Sequence, residues 1–100
     1  MDIRELKNVC NEKYAQAIEG MERGDANAEI ARLLLDAAEL LVKISKADFL
    51  TRVASENKAA KLLAAAKKLR ATGDTSAVYC DLTGRTLNVV PKTAPQAPAV

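Results

Sequence analysis

The sequence predicts an all-α fold, in which three helices form an antiparallel bundle and a C-terminal extension follows them. Apolar residues recur at steps of three and four through residues 3–71, as they do along one face of an α-helix. Turn signals interrupt this pattern at two places, "ERGDAN" and "SKAD". The chain of 100 residues is long enough for one domain, and it contains three aromatic residues and no tryptophan. A core of this composition depends on many aliphatic contacts between helices.

The first helix is predicted over residues 3–23. Asp2 followed by Glu5 matches a capping box, in which the first side chain accepts a hydrogen bond from a free amide of the first turn. Gly24 can adopt the left-handed conformation that ends a helix. The apolar face of this helix consists of Ile3, Leu6, Cys10, Tyr14, Ala17 and Met21.

The second helix, predicted over residues 27–45, carries its charges on one narrow stripe. Six charged residues follow one another at steps of three and four, and the rest of the helix surface is mostly apolar. A helix with so wide an apolar arc needs neighbours on two sides, so we expect it at the centre of the bundle with some surface left for a partner. The stripe consists of Glu29, Arg32, Asp36, Glu39, Lys43 and Lys46.

The third helix is predicted over residues 49–71. No glycine or proline separates it from the second helix, so one continuous helix is the alternative, but Ser45 or Asp48 can cap a new start. A single helix of that length would also leave many leucines in water. Its segment "ENKAAKLLAAAKKLR" is rich in alanine, either because alanine is the best helix former or because small side chains leave shallow grooves that a partner's leucine can fill.

The C-terminal extension has two predicted parts. The bundle is expected to occupy residues 1–72 and the extension residues 73–90. Within the extension, "AVYCDLTGRTLNVV" predicts a small β-hairpin at 77–90, because it is rich in β-branched and aromatic residues around a Thr-Gly pair. Residues 91–100 alternate proline, alanine and polar residues, which is the composition of an extended linker. A linker at this position indicates that the chain is cut from a longer protein.

Catalysis, metal binding and cofactor binding find little support in the sequence. The chain contains no histidine, the common general base at neutral pH, and its four glycines form no phosphate-binding loop. Asp36 and Glu39 share their stripe with cations, which is typical of a solvated salt-bridge face. Cys10 and Cys80 lack metal-binding spacing and indicate a reducing compartment. With no signal peptide and no apolar run of membrane-spanning length, we expect a cytoplasmic protein that is not an enzyme and takes no cofactor and no small-molecule substrate.

Charge is distributed unevenly along the chain, and it leaves several interpretations open. Residues 51–72 contain six lysines and arginines and one acidic residue, whereas residues 25–48 contain three basic and five acidic residues. The basic third helix is compatible with a nucleic-acid-binding bundle, although it lacks aromatic residues that stack on bases. A helical oligomerisation module is a further alternative, and the lysines can also serve solubility alone.

Residues 3–71 resemble the microtubule interacting and trafficking (MIT) domain, a three-helix bundle of similar size. The resemblance is carried by "LLLDAAELLVKI" in the second helix and by the alanine-leucine pattern from Ala59 to Leu69. Such domains lie at the N-terminus of AAA ATPases that act on ESCRT filaments, archaeal ones included, and of the microtubule-severing katanin and spastin. The resemblance therefore implies an adaptor that binds short tails of filament-forming subunits and recruits a covalently linked AAA ATPase, in membrane trafficking or cell division. The Pro/Ala-rich end agrees with it, since a linker leads to the motor in those proteins.

The resemblance also implies where the partner binds. In the family, partner leucines most often enter the groove between helices 2 and 3, and some members use the groove between helices 1 and 3. Many members place acidic residues on helix 3 where this chain has Ala64 and Lys67, so an acidic or proline-containing tail is expected here. Neither nucleic acid nor direct membrane insertion is expected. The residues expected to line the groove between helices 2 and 3 are Leu35, Ala38, Val42, Ala59, Ala60, Leu63, Ala64 and Lys67.

Overall fold

The computed structural model describes residues 2–87, and every regular element within that range is helical. It confirms the all-α class, the three predicted helices and the break between the second and the third. The predicted linker at residues 91–100 and the last part of the predicted hairpin, residues 88–90, lie outside the described residues. The elements are α1 (Ile3–Arg23), α2 (Asn27–Ala47), a 3-10 turn (Phe49–Thr51), α3 (Arg52–Thr72) and α4 (Thr75–Thr83).

The central helix is α2, as its wide apolar arc predicts. Both α1 and α3 pack along it and have little direct contact with each other. Leu34 and Ala37 of α2 are fully buried in the core, where burial of apolar area stabilises the fold by about 25 cal/mol per Å². One side of α1 and one side of α3 are therefore left for contacts with other parts of the chain or with a partner.

The corner between α2 and α3, residues 48–52, is held by a capping aspartate. Asp48 accepts hydrogen bonds from the Leu50 amide at 3.2 Å and from the Thr51 hydroxyl at 2.9 Å. Its carboxylate also pairs with the Lys7 ammonium of α1, with Nζ and Oδ2 3.3 Å apart. These contacts stop α2 and start α3 without any glycine or proline, at the turn that "SKAD" predicts.

The contacts of Asp48 predict a pH dependence of stability. The Thr51 hydrogen bond and the Lys7 ammonium favour the carboxylate and hold the pKa of Asp48 below its ordinary value of 3.8. A carboxyl group with a depressed folded pKa stabilises the fold above its unfolded pKa, and this contribution is lost as the pH falls through the folded value. Between about pH 5 and about pH 2, the parent should therefore lose melting temperature more steeply than Asp48→Asn. Circular dichroism melts across this range check the prediction, and parallel curves would contradict it.

The predicted hairpin is wrong for residues 77–83, which belong to helix α4. Asp74 caps this helix by accepting a hydrogen bond from the Ala77 amide at 3.1 Å, and Gly84 ends it with a φ of 72°. A glycine with positive φ serves a hairpin turn and a helix C-terminus equally well, so the Thr-Gly pair did not discriminate between them. The β-branched and aromatic residues of this segment fill space in the core, and this tertiary burial outweighs their strand propensity.

Helix α4 packs against α1 and α3, on the side of each that α2 leaves uncovered. Its Val78 and Tyr79 are buried in the same core as the three longer helices. The Tyr79 hydroxyl donates a hydrogen bond of 2.6 Å to Glu22 of α1, and Asp81 pairs with Lys68 of α3 at 3.1 Å. The segment after residue 72 is thus a packed part of the fold at least as far as α4.

Candidate protein-binding groove

A groove runs between α2 and α3 and contains two adjoining pockets. The corner pocket, of about 480 Å³, lies next to the corner, and the far pocket, of about 560 Å³, lies toward the end of α3. Leu63 lines both and separates one from the other. The corner pocket is lined by Val42, Ser45, Lys46, Phe49, Arg52, Glu56, Ala59, Ala60 and Leu63, and the far pocket by Leu35, Leu63, Ala66, Lys67, Arg70 and Ala71.

The groove exists because α3 presents alanine to its neighbour. Ala59 and Ala60 line the corner pocket and Ala66 lines the far pocket, and each leaves unfilled the volume that a longer side chain would take. Larger apolar side chains stand beside these gaps, with Leu63 46% exposed and Val42 38% exposed. Large apolar side chains that remain in water beside a concavity mark an interaction surface.

The rims of both pockets are basic. Lys46 and Arg52 border the corner pocket, where Glu56 is the one acidic residue in its lining, and Lys67 and Arg70 border the far pocket. Within residues 2–87, none of these four cations forms an ion pair with an acidic side chain. Their positive potential is therefore available to a partner.

Most of the residues expected at this groove come together in it. Leu35 and Val42 of α2 and Ala59, Ala60, Leu63 and Lys67 of α3 all line one or both pockets.

Two of the expected residues do not line the pockets. Ala38 is buried in the core, because its single methyl group is too short to reach the groove surface that Leu35 and Val42 line. Ala64 is exposed but lines neither pocket, because at 100° per residue it lies at the outer edge of the strip that faces α2.

The sequence reasoning missed the corner residues and the end of α3. Phe49 was expected only as the start of the third helix, but it lines the corner pocket. The Arg52 guanidinium lies 5.4 Å from the centroid of its ring. Ala66, Arg70 and Ala71 continue the three-and-four spacing of α3 past Leu63. That spacing was the available signal for the far pocket, whereas nothing in the sequence indicated the exposure of the corner.

The alternative groove between α1 and α3 is partly filled by the chain itself. Helix α4 covers one end of it, where the Tyr14 hydroxyl of α1 donates a hydrogen bond of 3.3 Å to the Leu82 carbonyl. The remaining pocket is smaller, about 230 Å³. It is lined by Lys7, Cys10, Asn11, Leu41, Ile44, Thr51, Ala54, Ser55 and Lys58.

One thiol lies beside the smaller groove, among the residues that line its pocket. Cys10 is buried, its thiol donates a hydrogen bond of 3.5 Å to the Ala37 carbonyl, and desolvation raises the pKa of that thiol, so it behaves as a core residue. Among residues 2–87, no group of three or more Cys, Asp and Glu side chains is arranged to hold a metal ion. None of the helices in that range has the length and hydropathy needed to cross a bilayer.

No known protein family, curated protein or solved structure matches this chain. The shape of the groove and the charges on its rims are therefore the features of the structure that bear on its function.

Proposed function

We propose that this chain is a non-enzymatic interaction module whose α2–α3 groove binds a short tail segment of a partner protein. The observation that carries the proposal is the pair of open pockets on either side of Leu63. Apolar side chains of a partner that enter these pockets bury area on both surfaces, including the exposed part of Leu63 itself. A groove between two helices that is floored by alanine suits a helical segment or an extended one.

The charges around the groove favour an acidic segment. Four cations border the two pockets against the single acid Glu56. Opposite charges at the rim of an interface speed association and exclude partners of the wrong sign more than they add affinity. The apolar pockets therefore supply most of the binding energy, and the cations select partners with acidic side chains flanking the apolar ones. A proline-containing acidic tail also satisfies these requirements.

The identity of the partner is proposed from the sequence resemblance. The likeness of residues 3–71 to MIT domains supports a tail of a filament-forming, ESCRT-type subunit as the ligand. It also supports a cytoplasmic setting, in which the module recruits a covalently linked AAA ATPase to the filament. Binding of the module to a tail would place the linked ATPase at the surface of the filament.

A helical oligomerisation module is the second candidate. Exposed Phe49, Val42 and Leu63 could meet a second copy of the chain instead of a foreign segment. The two candidates differ in a simple measurement, because self-association raises the weight-average mass with concentration in sedimentation equilibrium. A monomer at all concentrations that still binds a peptide supports the tail-binding module.

Reversal of one rim charge should change the charge preference of the groove. Lys67→Glu is expected to lower the affinity for an acidic, leucine-containing peptide about three- to fivefold. This is the effect of roughly 1 kcal/mol from one exposed charge pair. The same variant should bind more tightly to a second peptide in which lysines replace the acidic residues. Lys61→Glu is the matched control, since Lys61 is exposed on α3 and lines neither pocket.

Fluorescence anisotropy with both labelled peptides at low and moderate salt measures the effect. Equal weakening by Lys61→Glu and Lys67→Glu would show that only the overall charge of α3 matters. In that case the far pocket is not the site of contact.

A further inference from the structure

We propose that the corner between α2 and α3 rests on the surface of an anionic lipid bilayer. Three large apolar side chains at this corner or directly after it, which we call the tip, lie mostly in water: Phe49 is 79% exposed, Leu50 92% and Val53 64%. Leu50 and Val53 line neither pocket of the groove. A partner segment lying in the groove would contact Phe49, which lines the corner pocket, but it does not explain the exposure of Leu50 and Val53.

The chain reversal between α2 and α3 is held in place by hydrogen bonds. Phe49 and Leu50 form the 3-10 turn that reverses the chain at one end of the bundle. Asp48 ties this turn to α1 through Lys7 and to the turn's own backbone through the Leu50 amide. The backbone of the turn is thus already held in place in the free protein. Side chains that stand this far out in water can enter the acyl boundary of a bilayer without a matching pocket.

The charges next to the tip are mainly positive. Lys43, Lys46 and Arg52 are exposed on the helices that flank it. Asp48, the one acid between residues 43 and 53, is engaged by Lys7 at 3.3 Å. Lysines and arginines near apolar side chains are the pattern of proteins that adsorb to anionic lipid headgroups and insert a few residues at the acyl boundary.

The net charge at this end of the molecule stays positive when the other nearby charged residues are included. The start of α1, which lies beside the corner, carries Asp2 and Glu5 with Arg4. Asp2 accepts the capping hydrogen bond of α1 at 2.9 Å, and Glu56 lies one turn into α3 within the corner pocket. The five cations at this end, Arg4, Lys7, Lys43, Lys46 and Arg52, thus outnumber the four acids, Asp2, Glu5, Asp48 and Glu56.

A second copy of the chain is a poorer occupant of this tip. Three side chains expose on the order of 400 Å² together, about half of the ~800 Å² that each partner contributes to a stable interface. The proposal departs from the sequence-based expectation that the chain makes no direct membrane insertion. Only the tips of side chains enter the bilayer, and no helix crosses it.

Tryptophan fluorescence tests the proposal directly, because the chain contains no tryptophan. In the full chain, Leu50→Trp should shift its emission to the blue when vesicles with about 30% phosphatidylserine are added, and brominated lipids should quench it. Vesicles of phosphatidylcholine alone should give a much smaller shift. Ala28→Trp is the matched control, since Ala28 is exposed near the start of α2, at the opposite end of the bundle, and its emission should not change.

Vesicle co-sedimentation provides the second measurement. The double variant Leu50→Asp, Val53→Asp should reduce the bound fraction at least fivefold at equal lipid, with circular dichroism unchanged. Unchanged binding by this double variant, or no blue shift of the Leu50→Trp emission on anionic vesicles, would overturn the proposal. Loss of concentration-dependent self-association, or of peptide binding, in the same double variant would also overturn it, because the tip would then belong to a protein interface.

Discussion

Leu63→Asp is expected to abolish binding of a partner segment to the α2–α3 groove while the bundle stays folded. Leu63 lines both pockets, so its replacement places a carboxylate where apolar side chains of the partner enter. An unpaired charge that becomes buried costs several kcal/mol, against a total of about 8 kcal/mol for a micromolar complex. Affinity should therefore fall at least about 100-fold. The fold should survive, because nearly half of the leucine side chain is already in water.

The matched control for this variant is Ala64→Asp. It introduces the same charge one residue away, at an exposed position that lines neither pocket. Anisotropy titrations with the acidic leucine-containing peptide, together with circular dichroism melts, should show a few-fold weakening for Ala64→Asp and no measurable binding for Leu63→Asp. If both variants bind like the parent, the groove between α2 and α3 is the wrong site and the smaller groove between α1 and α3 becomes the better candidate.

Val78→Asp is expected to detach α4 and destabilise the whole domain. Val78 is fully buried among the core residues, and a carboxylate there has no partner to compensate its desolvation. The loss is limited to the free energy that holds α4 in place, since a helix of nine residues has little stability of its own and can unfold separately. For a domain of this size, a loss of about 2–3 kcal/mol lowers the melting temperature by roughly 10–20 °C.

Ser76→Asp is the control for the second prediction. Ser76 is exposed in the first turn of α4, where a negative charge interacts favourably with the helix dipole, so this variant should melt at or slightly above the parent temperature. Amide hydrogen exchange should become fast across α4 in Val78→Asp and remain slow in Ser76→Asp. A normal melting temperature and slow exchange in Val78→Asp would show that α4 does not depend on its buried face.

The two predictions act on different sides of the molecule. The groove lies between α2 and α3, whereas α4 packs against α1 and α3. Ser76→Asp should therefore leave peptide affinity unchanged, and Ala64→Asp should leave the protection of α4 unchanged. Coupling between Ser76→Asp and Ala64→Asp in a double-mutant cycle would indicate that α3 transmits a structural shift from one of its faces to the other.

The sequence by itself determined the three long helices and the alanine-rich face of α3 that borders the groove. Hydrophobic periodicity, the Asp2 cap and Gly24 place α1 and its end, and Asp48 places the corner, because these are local signals that depend on neighbours along the chain. The alanines of α3 were likewise a local signal for space beside α2. Six of the eight residues that the family resemblance led us to expect at the groove line its pockets, and those on each helix share one face of it.

Tertiary structure decided what fills the space on each side of the bundle. Val78 and Tyr79 have the propensity of strand residues, but they are buried against α1 and α3. The space that they fill is created by the packing of the long helices, so local sequence signals do not indicate it. Phe49 and Leu50 look like core residues in a chain with few aromatics, yet Asp48 and Lys7 turn the corner so that both lie in water. Burial depends on contacts between residues distant in sequence, which is why periodicity predicted the helices and the fold alone chose the faces they cover.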